Sequence, residues 1–173
     1  MMLALVGFMA AGKTTVGRRL AQSLGLPFYD TDAAIERLHG PVAEIFAREG
    51  EPAFRRYESA ALRASLLAGK GVVAVGGGAV LSTANRLLLR RRCLVVHLAV
   101  TPKTVMARTR GRHKRPVLGP TPDIDAIRRL MRERAEAYAD SDLCVAADGR
   151  PAAEIAAMIG RWYDTRTGAA HSA

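Results

Sequence analysis

Residues 7–14 read Gly7-Phe8-Met9-Ala10-Ala11-Gly12-Lys13-Thr14, an ungapped match to the pattern G-x-x-x-x-G-K-[ST]. The glycines permit the positive φ angles of a tight loop, which turns successive backbone N–H groups inward as a nest for phosphate oxygens. Lys13 brings a full positive charge to the β- and γ-phosphates of a nucleotide, and the hydroxyl of Thr14 can ligate Mg²⁺. A helix beginning near Lys13 adds the positive end of its dipole. The surroundings agree with this chemistry. An apolar run comes immediately before the loop, and a segment carrying Val16, Leu20 and Leu24 at helical spacing comes immediately after. A glycine-rich turn with an incidental lysine would not require that strand–loop–helix order.

The same alternation continues along the chain. Five short apolar runs, residues 3–7, 27–30, 71–76, 93–100 and 143–146, read as strands. Helical patterns lie between and after them at 14–24, 33–38, 42–49, 53–67, 83–90, 103–109, 124–138 and 152–162. The run 93–100 is apolar on both faces, as expected of a central parallel strand covered by helices on each side. The class is therefore α/β with a mostly parallel sheet. A length of 173 residues fits one domain, residues 1–164, without repeat or linker. Residues 111–122 differ in kind: Gly and Pro bound them and their first half is basic, so they read as a mobile loop. Residues 165–173 are small and polar and read as a frayed tail.

Asp30-Thr31-Asp32 closes the second strand pattern. Ligands of open α/β sheets bind at the carboxyl ends of strands, which puts both carboxylates at the phosphate crevice. Alternation along an extended segment would set Asp30 and Asp32 on one side. One could hold Mg²⁺ through water while the other orients or deprotonates an attacking hydroxyl. Asp32 could equally cap the next helix, and the two roles are compatible.

The net charge of +10 is carried almost wholly by arginine, the lysines being Lys13, Lys70, Lys103 and Lys114. An excess of that size suits anionic partners, whether nucleic acid or phosphorylated and carboxylated metabolites. Few aromatics argue against a single-strand stacking platform, and no recognition-helix or RNA-binding signature is present. Cys93 and Cys144 sit in or beside apolar runs and read as buried reduced thiols. No run reaches the roughly 18 apolar residues of a membrane span. The first residues show no secretory pattern, so a cytoplasmic protein is expected.

With these motifs in order, the chain resembles the shikimate kinases. The loop and the following Thr15-Val16-Gly17-Arg18 are similar to that family's opening, and Asp30-Thr31-Asp32 with Ile35-Glu36 to its Asp-x-Asp motif. Ile45-Phe46, Gly50-Glu51 and Phe54-Arg55-Arg56-Tyr57-Glu58 resemble its substrate-binding helix region. Gly76-Gly77-Gly78-Ala79 resembles its glycine triplet, Arg115-Pro116 with Leu118 its lid, and Arg132-Glu133-Arg134 with Tyr138 its Arg-x-x-x-Tyr element. The resemblance covers nearly the whole chain. It implies a nucleoside-monophosphate-kinase-like P-loop fold, a five-stranded parallel sheet flanked by helices with a lid. It also implies transfer of the ATP γ-phosphate to the 3-hydroxyl of shikimate by a monomer, with no nucleic-acid or membrane partner.

The resemblance also implies roles for individual positions. Ala10, Ala11, Gly12, Lys13, Thr14 and Thr15 would hold ATP, with Arg108 flanking the adenine and Arg150 on the adenine side. Thr14 and Asp30 would hold Mg²⁺. Asp32 would bind the substrate hydroxyls and act as base. Arg55 and Arg134 would clamp the carboxylate, and Gly77 and Gly78 would offer backbone N–H groups. Arg115, with Lys13 and Asp32, would serve catalysis by approaching the transferring phosphate.

The residue pattern alone leaves other roles open. Arg55 and Glu58 could be an i,i+3 surface ion pair, the glycines a plain turn, and Arg115 a solvated cation. Arg134 is the least distinguished of the arginines around it, Arg128, Arg129 and Arg132. Ala10 stands where the family usually has glycine, and residues 145–151 follow its adenine-side loop loosely. Two rival readings are a gluconate kinase of similar build and a basic nucleic-acid-binding module on a nucleotide fold.

Overall fold

A computed structural model describes residues 1–109 and 123–168. In chain order the elements are β1 (Met2–Val6), α1 (Lys13–Ser23), β2 (Phe28–Asp30), α2 (Thr31–His39), α3 (Val42–Leu67), β3 (Gly71–Ala74), a short 3₁₀ turn (Ala79–Leu81), α4 (Thr83–Arg92), β4 (Cys93–Ala99), α5 (Pro102–Thr109), α6 (Ile124–Ala139), β5 (Leu143–Ala146) and α7 (Ala152–Thr167). The five strands form one sheet in the order β2-β3-β1-β4-β5, and every pairing is parallel.

The middle strand is β1, all of whose residues are buried, with β4 interior beside it. Leu3 and Leu5 have no exposed surface, and each such burial contributes about 2 kcal/mol. Leu5 pairs with Ala74 of β3 on one side and Val96 of β4 on the other. The chain therefore leaves β1 at the point where the strand order reverses, and a parallel sheet opens a crevice there. The phosphate loop occupies that switch point.

Three expectations need adjusting. The helix patterns 42–49 and 53–67 join into α3, which breaks its helical geometry at Gly50 (φ 77°, ψ 173°). Pro52 follows the break, where a first-turn proline leaves no internal hydrogen bond missing. Residues 165–167 belong to the last turn of α7, which ends on Gly168 at φ 67°, so the tail does not begin at 165. Cys93 is buried, but Cys144 is exposed, because β5 is the sheet edge and turns that side chain outward.

Beyond the main core, Ile35, Ile45 and Phe54 make a second small apolar cluster. It fastens α2 to both halves of α3. The arm that carries Arg55 therefore has a core of its own.

Candidate active site

The loop after β1 has the expected form. Gly12 takes φ 97° and caps α1, and Ala10 takes φ 61°, the one positive φ outside glycine among the described residues. Lys13 Nζ donates to the carbonyls of Gly7 (2.8 Å) and Phe8 (3.1 Å), so its charge lies over the loop. A crevice of about 430 Å³ opens here, and the loop residues Ala10 to Thr15 share it with Asp32, Gly77, Arg108 and Arg150.

The Asp-x-Asp segment reaches the crevice by a route different from strand alternation. The strand stops at Asp30 and α2 starts at Thr31. Asp30, not Asp32, is the cap: its Oδ1 accepts the Ala33 N–H at 3.1 Å. Its Oδ2 accepts the Thr14 hydroxyl at 2.7 Å, which brings together the two oxygens expected at Mg²⁺. Asp32 is left in the first turn, exposed toward the crevice, with no capping duty.

Arg55 is held between two carboxylates. Its NH1 donates to Glu58 Oε2 at 2.6 Å, while Nε and NH2 donate to Glu51 Oε1 at 3.1 and 2.6 Å. The pair with Glu58 does exist at i,i+3, but it is not a surface pair, since Glu58 is 2% exposed. Burial works against the charge on Arg55, yet Glu58 and Glu51 outweigh it and raise its pKa. Burial raises the Glu58 carboxyl above its usual range, against the opposing pull of Arg55. A Cβ on Gly78 would collide with the Arg55 guanidinium, so the turn after β3 is glycine at the point of closest approach.

Arg134 proves the most distinctive of the α6 arginines. Arg128, Arg129 and Arg132 are exposed, whereas Arg134 is 5% exposed, on one face with Ile127 and Tyr138. Its guanidinium lies 5.6 Å from the centre of the Phe8 ring. Among the described residues, its Nε is the one buried side-chain nitrogen or oxygen without a hydrogen-bond partner. A buried cationic donor in that condition is costly unless an anion meets it. The positions 127, 134 and 138, spaced i, i+7 and i+11, could have singled it out in the sequence.

On the opposite rim, Arg108 NH1 donates to the Ala10 carbonyl at 2.9 Å, which places it on the flank of the phosphate loop. Asp148 accepts the backbone N–H (3.0 Å) and the hydroxyl of Thr101, tying the start of residues 148–151 to the end of β4. Arg150 follows in that segment and leans on Met158 Sδ at 3.1 Å. Arg115 and the expected lid lie outside the described residues. Sequence reading did not assign Glu51, Thr31 or Gly76 to the site. The acidic pair around Arg55 at i−4 and i+3 was the available signal for Glu51.

This arrangement can hold a polyphosphate against a backbone nest, place a carboxylate beside it, and offer a second anion one buried guanidinium, Arg134, and one half-buried, Arg55. The family model for shikimate kinase matches residues 9–164. A shikimate kinase from Moorella thermoacetica is 46% identical over 158 residues, covering 91% of this chain and 91% of that protein. The solved shikimate kinase from Acinetobacter baumannii in complex with shikimate superposes with a TM-score of 0.90 at 34% identity, covering 96% of this chain and 94% of that one. A gluconokinase from Sinorhizobium meliloti, with a TM-score of 0.57 at 22% identity over 95% of this chain and 97% of that one, shares the fold alone.

Proposed function

The chain belongs to the shikimate kinase family, and from that premise we propose how its own residues carry out the ATP-dependent phosphorylation of shikimate. The observation that carries the assignment of sites is Arg134. A buried guanidinium with an unpartnered Nε, packed on Phe8 of the phosphate loop, calls for an anion within reach of the nucleotide. The carboxylate of shikimate supplies it, shared with Arg55.

In this reading the loop 10–15 takes the ATP phosphates, with Lys13 moving from the loop carbonyls to the β- and γ-phosphates. Thr14 and Asp30 are the fitting pair for Mg²⁺, an ion that uses one or two protein oxygens alongside substrate phosphates. Bound there, the ion would neutralise charge on the phosphates. Asp32, in the first turn of α2 beside the cap, accepts the proton of the 3-hydroxyl and aligns that oxygen with the γ-phosphorus. Gly77 faces the crevice with its backbone, and Arg108 and Arg150 take the nucleoside side. Arg115, in the segment 111–122, is assigned to the transferring phosphoryl group on the family resemblance.

The unit proposed is a single domain that runs through the last turn of α7 and acts as a monomer, since one chain supplies both the phosphate loop and the residues assigned to the acid. It acts in the cytoplasm, where ATP is available. No described helix is long and apolar enough to cross a membrane. ADP release measured with ATP and Mg²⁺ should require shikimate and should not rise with gluconate. Turnover of gluconate but not shikimate would overturn the assignment.

A further inference from the structure

The three side chains assigned to the second substrate come from α2, α3 and α6, far apart in sequence. Each brings a neighbour that packs on one short turn, Gly76-Gly77-Gly78, and two of the three hydrogen-bond it. Thr31, beside Asp32, accepts the Gly76 N–H on Oγ1 at 2.8 Å. Tyr138, one helical turn after Arg134, donates its phenol proton to the Gly77 carbonyl at 2.7 Å. Glu58, one turn after Arg55, lies against Gly76, where a Cβ would stand 2.8 Å from its Oε1.

We propose that Thr31 and Tyr138 are positioning residues for the second substrate. Their hydroxyls peg the glycine turn from opposite sides and so fix the separation of Asp32 from Arg134. Neither residue is placed to touch substrate. Thr31 has no exposed surface, and its hydroxyl also reaches the Ala74 carbonyl at 3.4 Å. Tyr138 is 4% exposed, and its ring stacks on His97 of β4 at 5.1 Å between centroids. Tyr138 shares the buried face of α6 with Arg134, so its phenol ties the helix that carries this cation to the turn. Gly77 lies against the phosphate loop, where a Cβ would stand 3.5 Å from the Met9 nitrogen. The pegged turn therefore registers the acid-binding residues against the nucleotide site.

The inference rests on the reading of the crevice given above. It separates from a merely structural role because the two substrates should respond differently. Thr31→Val and Tyr138→Phe each remove one hydroxyl with little change in volume, and Thr31→Ser restores the oxygen. Steady-state kinetics on the full chain, varying each substrate in turn, should show the shikimate KM rising about tenfold in Thr31→Val and in Tyr138→Phe, the scale of one hydrogen bond. The ATP KM should stay within about twofold, and Thr31→Ser should return the shikimate KM to near the wild-type value. An unchanged shikimate KM in Tyr138→Phe overturns the proposal. So does an equal rise in both KM values, or a Thr31→Ser variant as impaired as Thr31→Val. Should Thr31→Val fail to fold, Tyr138→Phe decides alone, since its ring still fills the core. Wild-type enzyme is the control: if it does not turn over shikimate, the functional reading falls and this proposal with it. If it does and the variants match it, the positioning inference alone falls.

Discussion

The phosphate loop draws its donors from eight consecutive residues, 7–14, whereas the side assigned to the second substrate draws Asp32, Arg55, the glycine turn and Arg134 from four separate segments. The loop works mainly through backbone N–H groups, and Lys13 is its one charged side chain. The side assigned to the acid presents side chains that hold one another: Arg55 between Glu51 and Glu58, and Arg134 over the Phe8 ring. A backbone nest is insensitive to most of the side chains hung on it. A buried ionic network is not, because removing one partner leaves the other's charge desolvated and unpaired.

Lys13→Ala should have the largest effect. It removes the only full charge the loop itself offers, and turnover should fall about a thousandfold, the scale of losing a preorganised electrostatic contact. Thermal stability should barely move, since the Lys13 ammonium hydrogen-bonds the carbonyls of its own loop, Gly7 and Phe8. Coupled-assay turnover and a melting curve on one preparation check this. Near-native turnover would break the comparison, by showing that the nest works without its cation.

Next comes Asp32→Asn, with turnover reduced about a hundredfold, as for loss of a general base. Stability should change by less than about 0.5 kcal/mol, because the α2 cap is Asp30 and remains in place. ATP binding by calorimetry should be retained while shikimate binding weakens, an acceptor having become partly a donor. Native turnover would reduce Asp32 to a surface carboxylate.

Arg55→Lys tests the other half of the comparison. Lysine keeps the charge but cannot bridge Glu51, Glu58 and a substrate carboxylate with one planar fork. Shikimate affinity should drop about tenfold or more, the scale of hydrogen bonds to charged groups, with ATP affinity nearly unchanged. Calorimetry with each ligand separately would show it. Equal loss for both ligands would mean that the α2–α3 arm, with its own cluster of Ile35, Ile45 and Phe54, has come loose.

The same contrast explains what could be read from the sequence. The phosphate loop, the five strands and the alternation of classes were legible because each is set by a contiguous pattern: glycine spacing, apolar runs, period 3.6. Asp32 was open as a cap because the helix begins at Thr31, two residues earlier than the pattern suggested, which hands the cap to Asp30, and propensity sets boundaries weakly. Arg134 could not be told from Arg128, Arg129 and Arg132 by residue type. Its burial follows from which face of α6 meets the sheet, and Ile127 and Tyr138 mark that face only once the helix phase is known. The role of Thr31 depends on contact with a turn 45 residues away, which no local pattern encodes.

Ala10 offers the smallest and sharpest test of the backbone side. It holds φ 61° where the family usually has glycine, while its carbonyl accepts from Arg108. A left-handed residue with a Cβ costs about 1–2 kcal/mol relative to its ordinary conformation. Glycine would relieve that strain but would gain about 0.4–1 kcal/mol of freedom in the unfolded chain. Relief should win narrowly, so Ala10→Gly should stabilise the fold by about 0.5 kcal/mol and raise the melting temperature by about 1–2 °C. Turnover should stay within about twofold, because the N–H groups of the nest keep their directions and the methyl group contacts no phosphate in this scheme. A lower melting temperature would mean that the surrounding loop already absorbs the strain. A large change in ATP affinity would mean that the side chain at position 10 shapes the nest, and the nucleotide side would then depend on its side chains as the acid side does.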